Sequence, residues 1–213
     1  MIDWKFLNII LLLSAFALSL VVVDMVMNWS LALWYLPYNL FLAWIPLIAS
    51  LMVIRRKTQP WLRGLFGLVW LTFLPNSYYT VTDIIHTSDA ANVSYIYDTV
   101  AFFMIAASGL LAGAYSLLLI DKKYLMKLKT TKRVILLSVV ATLVSVGLYL
   151  GRILRWNSWD LITNPFGILS SFATTLSHPW LLIQFLTTFA TFVLLVAFSH
   201  ILMLQLSFPR RYN

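Results

Sequence analysis

Long apolar runs, separated by short polar connections, dominate the sequence. Six of these runs are long enough to cross a bilayer as helices, since one crossing needs about 20 apolar residues. The predicted spans are Phe6–Met27, Leu36–Ile54, Gly64–His86, Ser94–Ile120, Val134–Arg155 and Trp180–Leu204. The pattern predicts an all-α, polytopic membrane protein that forms a single integral membrane domain over residues 1–213.

Two segments depart from a simple spanning pattern. Pro75 lies inside the third run and polar residues follow it, which predicts a kinked span whose freed backbone groups need partners. Between the fifth and sixth runs, Asn164 and Pro165 stand in the order of a helix N-cap and a first helical residue. The apolar residues after Pro165 repeat at helical spacing, so we expect an interfacial helix there.

The composition excludes several classes of protein. Hydrophobic residues make up 62% of the chain and charged residues only 10%, whereas ordinary soluble domains carry roughly 25% charged residues. The chain has no cysteine. Disulfide frameworks, cysteine-ligated zinc, iron–sulfur clusters and thiol nucleophiles are therefore excluded.

The positive charges lie mainly on one side of the predicted spans. The net charge is +8, and 13 of the 15 Lys and Arg residues fall on that side: Lys5, Arg55, Arg56, Lys57, Arg63, Lys122, Lys123, Lys127, Lys129, Lys132, Arg133, Arg210 and Arg211. The positive-inside rule makes this side cytoplasmic and places both termini there. The basic residues then determine the membrane topology, with anionic membrane lipids as partners. They do not indicate that the chain binds nucleic acid.

A polar stripe follows Pro75 on the predicted outer side. Asn76, Tyr79, Asp83 and His86 are spaced by three, four and three residues, which places them on one helix face. Such a stripe is costly in lipid and should face the interior of the bundle. Asp83 and His86 are then close enough to share a proton or a metal ion.

More polar residues lie at the outer ends of the fourth and fifth spans. Asp98 stands at the start of the fourth span, where the helix dipole favours an acid. Arg152 and Arg155 oppose the charge trend and would share a face with Trp159. Gly147 and Gly151 form a small-xxx-small pattern that lets another helix approach.

Several runs resemble those of the bacterial domain-of-unknown-function family 1361, a family of multi-pass membrane proteins. They are Leu42-Ala43-Trp44-Ile45-Pro46-Leu47, Phe73-Leu74-Pro75-Asn76 with Asp83 and His86, Tyr97-Asp98, and Gly151-Arg152 with Arg155-Trp156-Asn157-Ser158-Trp159-Asp160. The resemblance covers about Pro37 to Pro165. It implies a location in the bacterial inner membrane and transfers no mechanism.

One hypothesis is a metal-assisted or acid–base hydrolase or transferase that acts on a lipid or cell-envelope substrate. Asp83, His86 and Asp98 would be catalytic, and with His178 they would form a ligand set for a divalent metal such as zinc. The sequence has no dense metal motif such as His-Glu-x-x-His. The expected substrate-binding residues are Asn76, Tyr79, Arg152, Arg155, Trp156, Asn157 and Asp160.

Two other classes fit the same residues. The chain could be a carrier or binding protein for an anionic solute or lipid headgroup, with the broken third span as its gate. Alternatively it is a non-catalytic accessory subunit that associates with another membrane protein or with a second copy of itself. Asp83 would then form an ion pair with Arg152 or Arg155 that only stabilises the fold. His200 cannot join the outer residues, because the helix from His178 to His200 is about 33 Å long.

Overall fold

A computed structural model describes residues 2–89, 95–157 and 159–207, and within them the chain is helical without strands. Ser94, Ser158, Arg210 and Arg211, on which predictions were made, lie outside the described residues. The helices are α1 (Trp4–Met27), α2 (Tyr35–Ile54), α3 (Pro60–Thr82), α4 (Tyr95–Lys123), α5 (Thr130–Arg152), α6 (Asp160–Thr163), α7 (Pro165–Ser177) and α8 (Pro179–Ser207), with 3₁₀ turns at Asp83–Asp89 and Leu125–Lys127.

Five of the described helices, α1, α2, α4, α5 and α8, are long and apolar enough to cross a membrane. This confirms a polytopic, all-helical membrane protein. The helix α3 is not among them although it has 23 residues. Polar residues such as Asn76, Ser77 and Thr80 follow Pro75 and lower its hydropathy. A sixth span at α3 therefore stays a prediction.

Contacts between helix ends define one end of the bundle, which we call the Asp83 end. Asn39, near the start of α2, bonds to Asp83 beyond the end of α3, and Arg152 at the end of α5 contacts the same carboxyl group. The hydroxyl of Tyr97, near the start of α4, donates to the carbonyl of Leu20 near the end of α1. The long helices therefore alternate in direction, as short connections require.

The opposite end, which we call the Asp121 end, holds the basic connections. The Tyr115 hydroxyl contacts the backbone of Asp3, and the Tyr124 hydroxyl donates to the carbonyl of Val53. The connections before α3 and before α5 thus lie together, and with the helix turns that adjoin them they contain ten of the 15 Lys and Arg residues. The charge asymmetry follows the bundle axis, while the side of the membrane that each end faces stays a prediction.

Small residues let α3 pack closely against its neighbours. A β-carbon added to Gly109 of α4 would lie 2.2 Å from Thr80 Oγ1, and one added to Gly113 would lie 2.6 Å from Ser77 Cβ. A β-carbon at Gly147 of α5 would lie 2.8 Å from Pro75 Cγ. The close approach predicted at Gly147 is confirmed, with α3 as the neighbour.

Two predicted helix ends differ from the structure. The α-helix α3 ends at Thr82, where the Asp83 N–H donates to the carbonyl of Thr80 and the chain tightens into a 3₁₀ turn. The helix α5 ends at Arg152, and Arg155 has a φ of 59°. The helix therefore stops three residues before the predicted end at Arg155, whose left-handed backbone cannot continue a right-handed helix.

The helix after Asn164 begins as the sequence predicts. The Asn164 side chain accepts a hydrogen bond from the Gly167 N–H at 3.0 Å, and Pro165 is the first helical residue. This is an N-cap followed by a proline, which has no N–H that would need a partner. The position of α7 along a membrane surface stays a prediction.

Candidate functional site

Arg152 is the centre of a polar cluster at the Asp83 end. Its Nη1 donates to the Tyr79 hydroxyl at 2.8 Å and contacts Asp83 Oδ1 at 3.4 Å, while its Nη2 donates to the carbonyl of Thr82 at 2.9 Å. The guanidinium carbon also lies 5.0 Å from the centre of the Tyr79 ring, a cation–π geometry. These contacts use three of the five N–H bonds of a guanidinium.

Asp83 is fully buried beside Arg152. Asn39 Nδ2 donates to its Oδ2 at 2.9 Å. Burial raises the pKa of Asp83 from 3.8 to about 6, against the lowering effects of the Asn39 hydrogen bond and of the charges on Arg152 and His86. The carboxyl group therefore changes its charge close to neutral pH, as acid–base and switching groups do.

Two adjoining cavities open at this cluster and share Tyr38, Asn39 and Tyr79 in their walls. The larger has a volume of about 470 Å³ and is lined by Asp83, Arg152 and His86, together with Trp34 and Tyr35. The smaller has a volume of about 150 Å³ and lies deeper between α2, α3 and α5, with Asn76, Trp156 and Asn157 in its walls. Together they offer a concave site with aromatic walls and a few polar groups, typical of ligand sites.

The turn after α5 brings Trp156 and Asn157 to the smaller cavity. Asp160 Oδ2 accepts from the Asn157 N–H at 2.7 Å, and the Trp156 N–H donates to the carbonyl of Leu150 at 2.9 Å, which fixes the turn. The indole Nε1 of Trp156 is buried and has no hydrogen-bond partner among the described residues. A buried donor without an acceptor is costly, so a ligand that supplies an acceptor to this indole is favoured.

The remaining predicted residues sort into two groups. Asn76, Tyr79, Asp83, His86, Arg152, Trp156 and Asn157 line the two cavities, whereas Arg155, Asp160 and His178 do not. Arg155 is exposed, and Asp160 holds the turn in place. His178 is exposed, with Nδ1 2.9 Å from the carbonyl of Thr174. His86 packs edge-on against the Tyr35 ring, with 6.0 Å between the ring centres.

The predicted metal ligands are not brought together. Asp98 is buried but lies beside Asp24 of α1 and lines neither cavity. Within the described residues, no group of three or more His, Cys, Asp and Glu side chains is placed to hold a metal ion. The physical reason is the helix packing: Tyr97 fixes the start of α4 against α1, which places Asp98 beside Asp24 and outside the cavity that Asp83 lines.

Sequence reasoning missed several members of polar clusters. Asn39 is an isolated amide in an apolar helix, and the cost of intramembrane polar groups could have identified it. At the other end, Asp121, Arg133 and His200 form an ion cluster in which Asp121 is fully buried. The local pattern around Asp121 does not reveal this cluster, because its partners come from two other helices, α5 and α8.

The fold and the cavities define a multi-pass membrane protein with a polar site at one end of its helix bundle. The chain belongs to the family described as a protein of unknown function, DUF1361, whose match covers residues 38–197. This confirms the family resemblance. The matched region contains the whole lining of the smaller cavity and six of the ten residues that line the larger one, including Asp83 and Arg152. Comparisons with curated proteins and with solved structures give no significant match.

Proposed function

We propose that this chain is a bacterial inner-membrane protein that binds an anionic group, such as the headgroup of a lipid or of an envelope precursor, in the paired cavities at its Asp83 end. The observation that supports this most is a set of N–H groups in the cavity walls that have no hydrogen-bond acceptor. Two N–H bonds of Arg152 and the indole N–H of Trp156 have no acceptor among the described residues. Phosphate and carboxylate oxygens supply such acceptors.

The proposal includes an orientation. With α3 as a sixth span, the Asp83 end faces outward and both termini are cytoplasmic, since the basic connections lie at the Asp121 end. The course of α3 supports this, because it packs beside α2, α4 and α5 from one end of the bundle to the other. Ser77 donates to the carbonyl of Ala43 and Trp70 donates to Ser116 Oγ.

Dimethyl phosphate is a suitable probe of the site. It keeps a single negative charge across the physiological pH range, and trimethyl phosphate has a similar shape without the charge. We expect purified protein to bind the anion and not the neutral ester, measured by calorimetry or by tryptophan fluorescence. Arg152→Gln should weaken binding about tenfold or more, the size expected for a charge-assisted hydrogen bond.

Arg155 supplies a matched control. It belongs to the same turn, carries the same charge, is exposed and lines neither cavity. Arg155→Gln should therefore leave binding unchanged. Equal losses in Arg152→Gln and Arg155→Gln would instead indicate a diffuse effect of charge, and absence of any anion binding by the folded wild-type protein would reject the proposal.

An acid–base hydrolase or transferase is a second candidate, favoured by the titration of Asp83 near pH 6 beside the larger cavity. It predicts slow cleavage of a phosphoester probe such as 4-nitrophenyl phosphate, with a pH profile that Asp83→Asn abolishes. Absence of cleavage by the folded wild-type protein, or a pH profile that is unchanged in Asp83→Asn, would reject this candidate.

A further inference from the structure

A third cavity lies at the Asp121 end, between the first turns of α5 and the later part of α8. Its volume is about 320 Å³, and its walls include the apolar side chains of Leu137, Ala141 and Val196 together with Arg133 and His200. Ala197 and Ile201 of its lining are exposed at the side of the bundle. The cavity is thus an apolar cleft with basic groups at one end, the shape and polarity of an amphiphile.

Asp121 fixes both basic groups of this cleft. Arg133 donates to it through Nε at 2.8 Å and Nη2 at 2.6 Å, and His200 Nε2 lies 2.9 Å from Asp121 Oδ2. A two-pronged contact of this kind uses two of the five N–H bonds of the guanidinium and leaves the Nη1 donors available. The side chain of Arg133 is 26% exposed, so a ligand can reach it.

His200 provides an independent sign of a ligand. Its side chain is only 6% exposed, it lines the cleft, and its Nδ1 is buried with no hydrogen-bond partner among the described residues. An ionised carboxylate only accepts hydrogen bonds, so Nε2 carries the proton that points to Asp121. The other ring nitrogen is left without a partner at a buried position, which is costly unless something binds there.

We propose that this cleft is a binding site for an anionic phospholipid such as phosphatidylglycerol, with an acyl chain along the apolar walls, the phosphate at Arg133, and a headgroup hydroxyl that donates to His200 Nδ1. Charge complementarity selects the anionic headgroup, because Lys129 and Lys132 are exposed at the start of α5 beside Arg133. Juxtamembrane basic clusters of this kind attract anionic lipids. The site is separate from the paired cavities, which lie at the other end of the bundle.

The test compares phosphatidylglycerol with phosphatidylcholine of the same acyl chains, each added to the full-length protein in detergent and measured by native mass spectrometry. We expect phosphatidylglycerol to bind about tenfold more tightly, as one charge-assisted contact implies. Ala197→Phe adds bulk to the cleft lining and leaves the three residues of the ion cluster unchanged, and His200→Gln keeps a donor toward Asp121 while removing Nδ1. Both variants should lower this preference severalfold, and the preference that remains belongs to Arg152 in the paired cavities.

Two controls separate this site from other causes. Leu194→Phe adds a ring to an exposed position of the same helix outside the cleft, and Arg155→Gln removes an exposed charge that lines none of the three cavities. Both should keep the tenfold preference. Equal binding of the two lipids by the wild-type protein, or full preference retained in Ala197→Phe, would overturn the proposal. Ala197→Phe decides the matter even where His200→Gln does not fold.

Discussion

Arg152 Nη1 lies 3.4 Å from Asp83 Oδ1, a longer contact than the 2.9 Å hydrogen bond between Asn39 and the other oxygen of the same carboxyl group. Arg152 is therefore not held by Asp83 alone, because Tyr79 and Thr82 accept its closer hydrogen bonds. A buried pair with loose geometry adds little stability, since desolvation offsets most of the attraction. This arrangement leaves the charge of Arg152 available to a ligand whenever Asp83 is neutral.

Anion binding at the Asp83 end should strengthen as the pH falls. With a pKa of about 6, Asp83 is protonated in about a tenth of molecules at pH 7 and about nine-tenths at pH 5. If the neutral form is the competent one, the affinity for dimethyl phosphate should rise up to about tenfold over that range. Asp83→Asn imitates the protonated acid and should bind with the high affinity at both pH values. An affinity that falls on acidification would contradict this mechanism.

Asp83 should also make the folded protein less stable as the pH rises. Because its folded-state pKa of about 6 exceeds its ordinary value of 3.8, the folded state holds the proton more tightly than the unfolded state does. Its contribution is complete below about pH 4 and is lost as the pH rises to about 6. Thermal unfolding in detergent should therefore show a smaller loss of Tm between pH 4.5 and pH 6.5 in Asp83→Asn than in the wild type. Identical slopes for the two proteins would show that Asp83 titrates normally.

Gly109 should be intolerant of a side chain, because its β-carbon would lie 2.2 Å from Thr80 Oγ1 and Thr80 is fully buried. We expect Gly109→Ala to cost about 1–3 kcal/mol in the free energy of unfolding, the usual penalty of overpacking. Gly67→Ala is the matched control, since nothing lies within 4 Å of its β-carbon. The free energy of unfolding of Gly67→Ala should rise by up to about 1 kcal/mol, because alanine has a higher helix propensity than glycine. Equal effects of the two substitutions would contradict the close packing of α3 on α4.

The Asp121 cluster should be important for stability at the other end of the bundle. Asp121→Asn leaves the partly buried Arg133 and the buried His200 without their carboxylate, and removal of one member of a buried ion pair costs about 3–5 kcal/mol. Asp3→Asn removes an acid at the same end but keeps a residue type that caps helices well. In chemical unfolding, the free energy of unfolding of Asp121→Asn should be at least about 2 kcal/mol lower than that of Asp3→Asn. If Asp121→Asn leaves the free energy of unfolding unchanged, the cluster contributes little to stability.

The sequence predicts the helices well because their signal is local. Runs of apolar residues locate the long helices, and Asn164 with Pro165 locates the start of α7. The stripe from Asn76 to His86 also predicts side chains that line the same cavities. These features depend on spacing within one segment, which a single sequence displays directly.

Features that depend on pairing between helices could not be predicted in the same way. The sequence grouped Asp98 with Asp83, whereas the packing of α4 on α1 places it beside Asp24. The glycines at 109 and 113 were overlooked, although their spacing matches that of Gly147 and Gly151. Arg155 was placed on the face of Arg152 because nothing in the local pattern shows that α5 ends at Arg152 and that Arg155 beyond it has a left-handed backbone.

Labelling of single cysteines should decide both the orientation of the bundle and the role of α3. The chain has no cysteine, so Lys57→Cys and Ile85→Cys introduce unique labels at exposed positions before and after α3. If α3 crosses the membrane with the Asp83 end outward, a membrane-impermeant maleimide should label Ile85→Cys in intact cells. Lys57→Cys should react only after the membrane is permeabilised. Labelling of both from one side would show that α3 does not cross, and the reverse pattern would place the paired cavities in the cytoplasm.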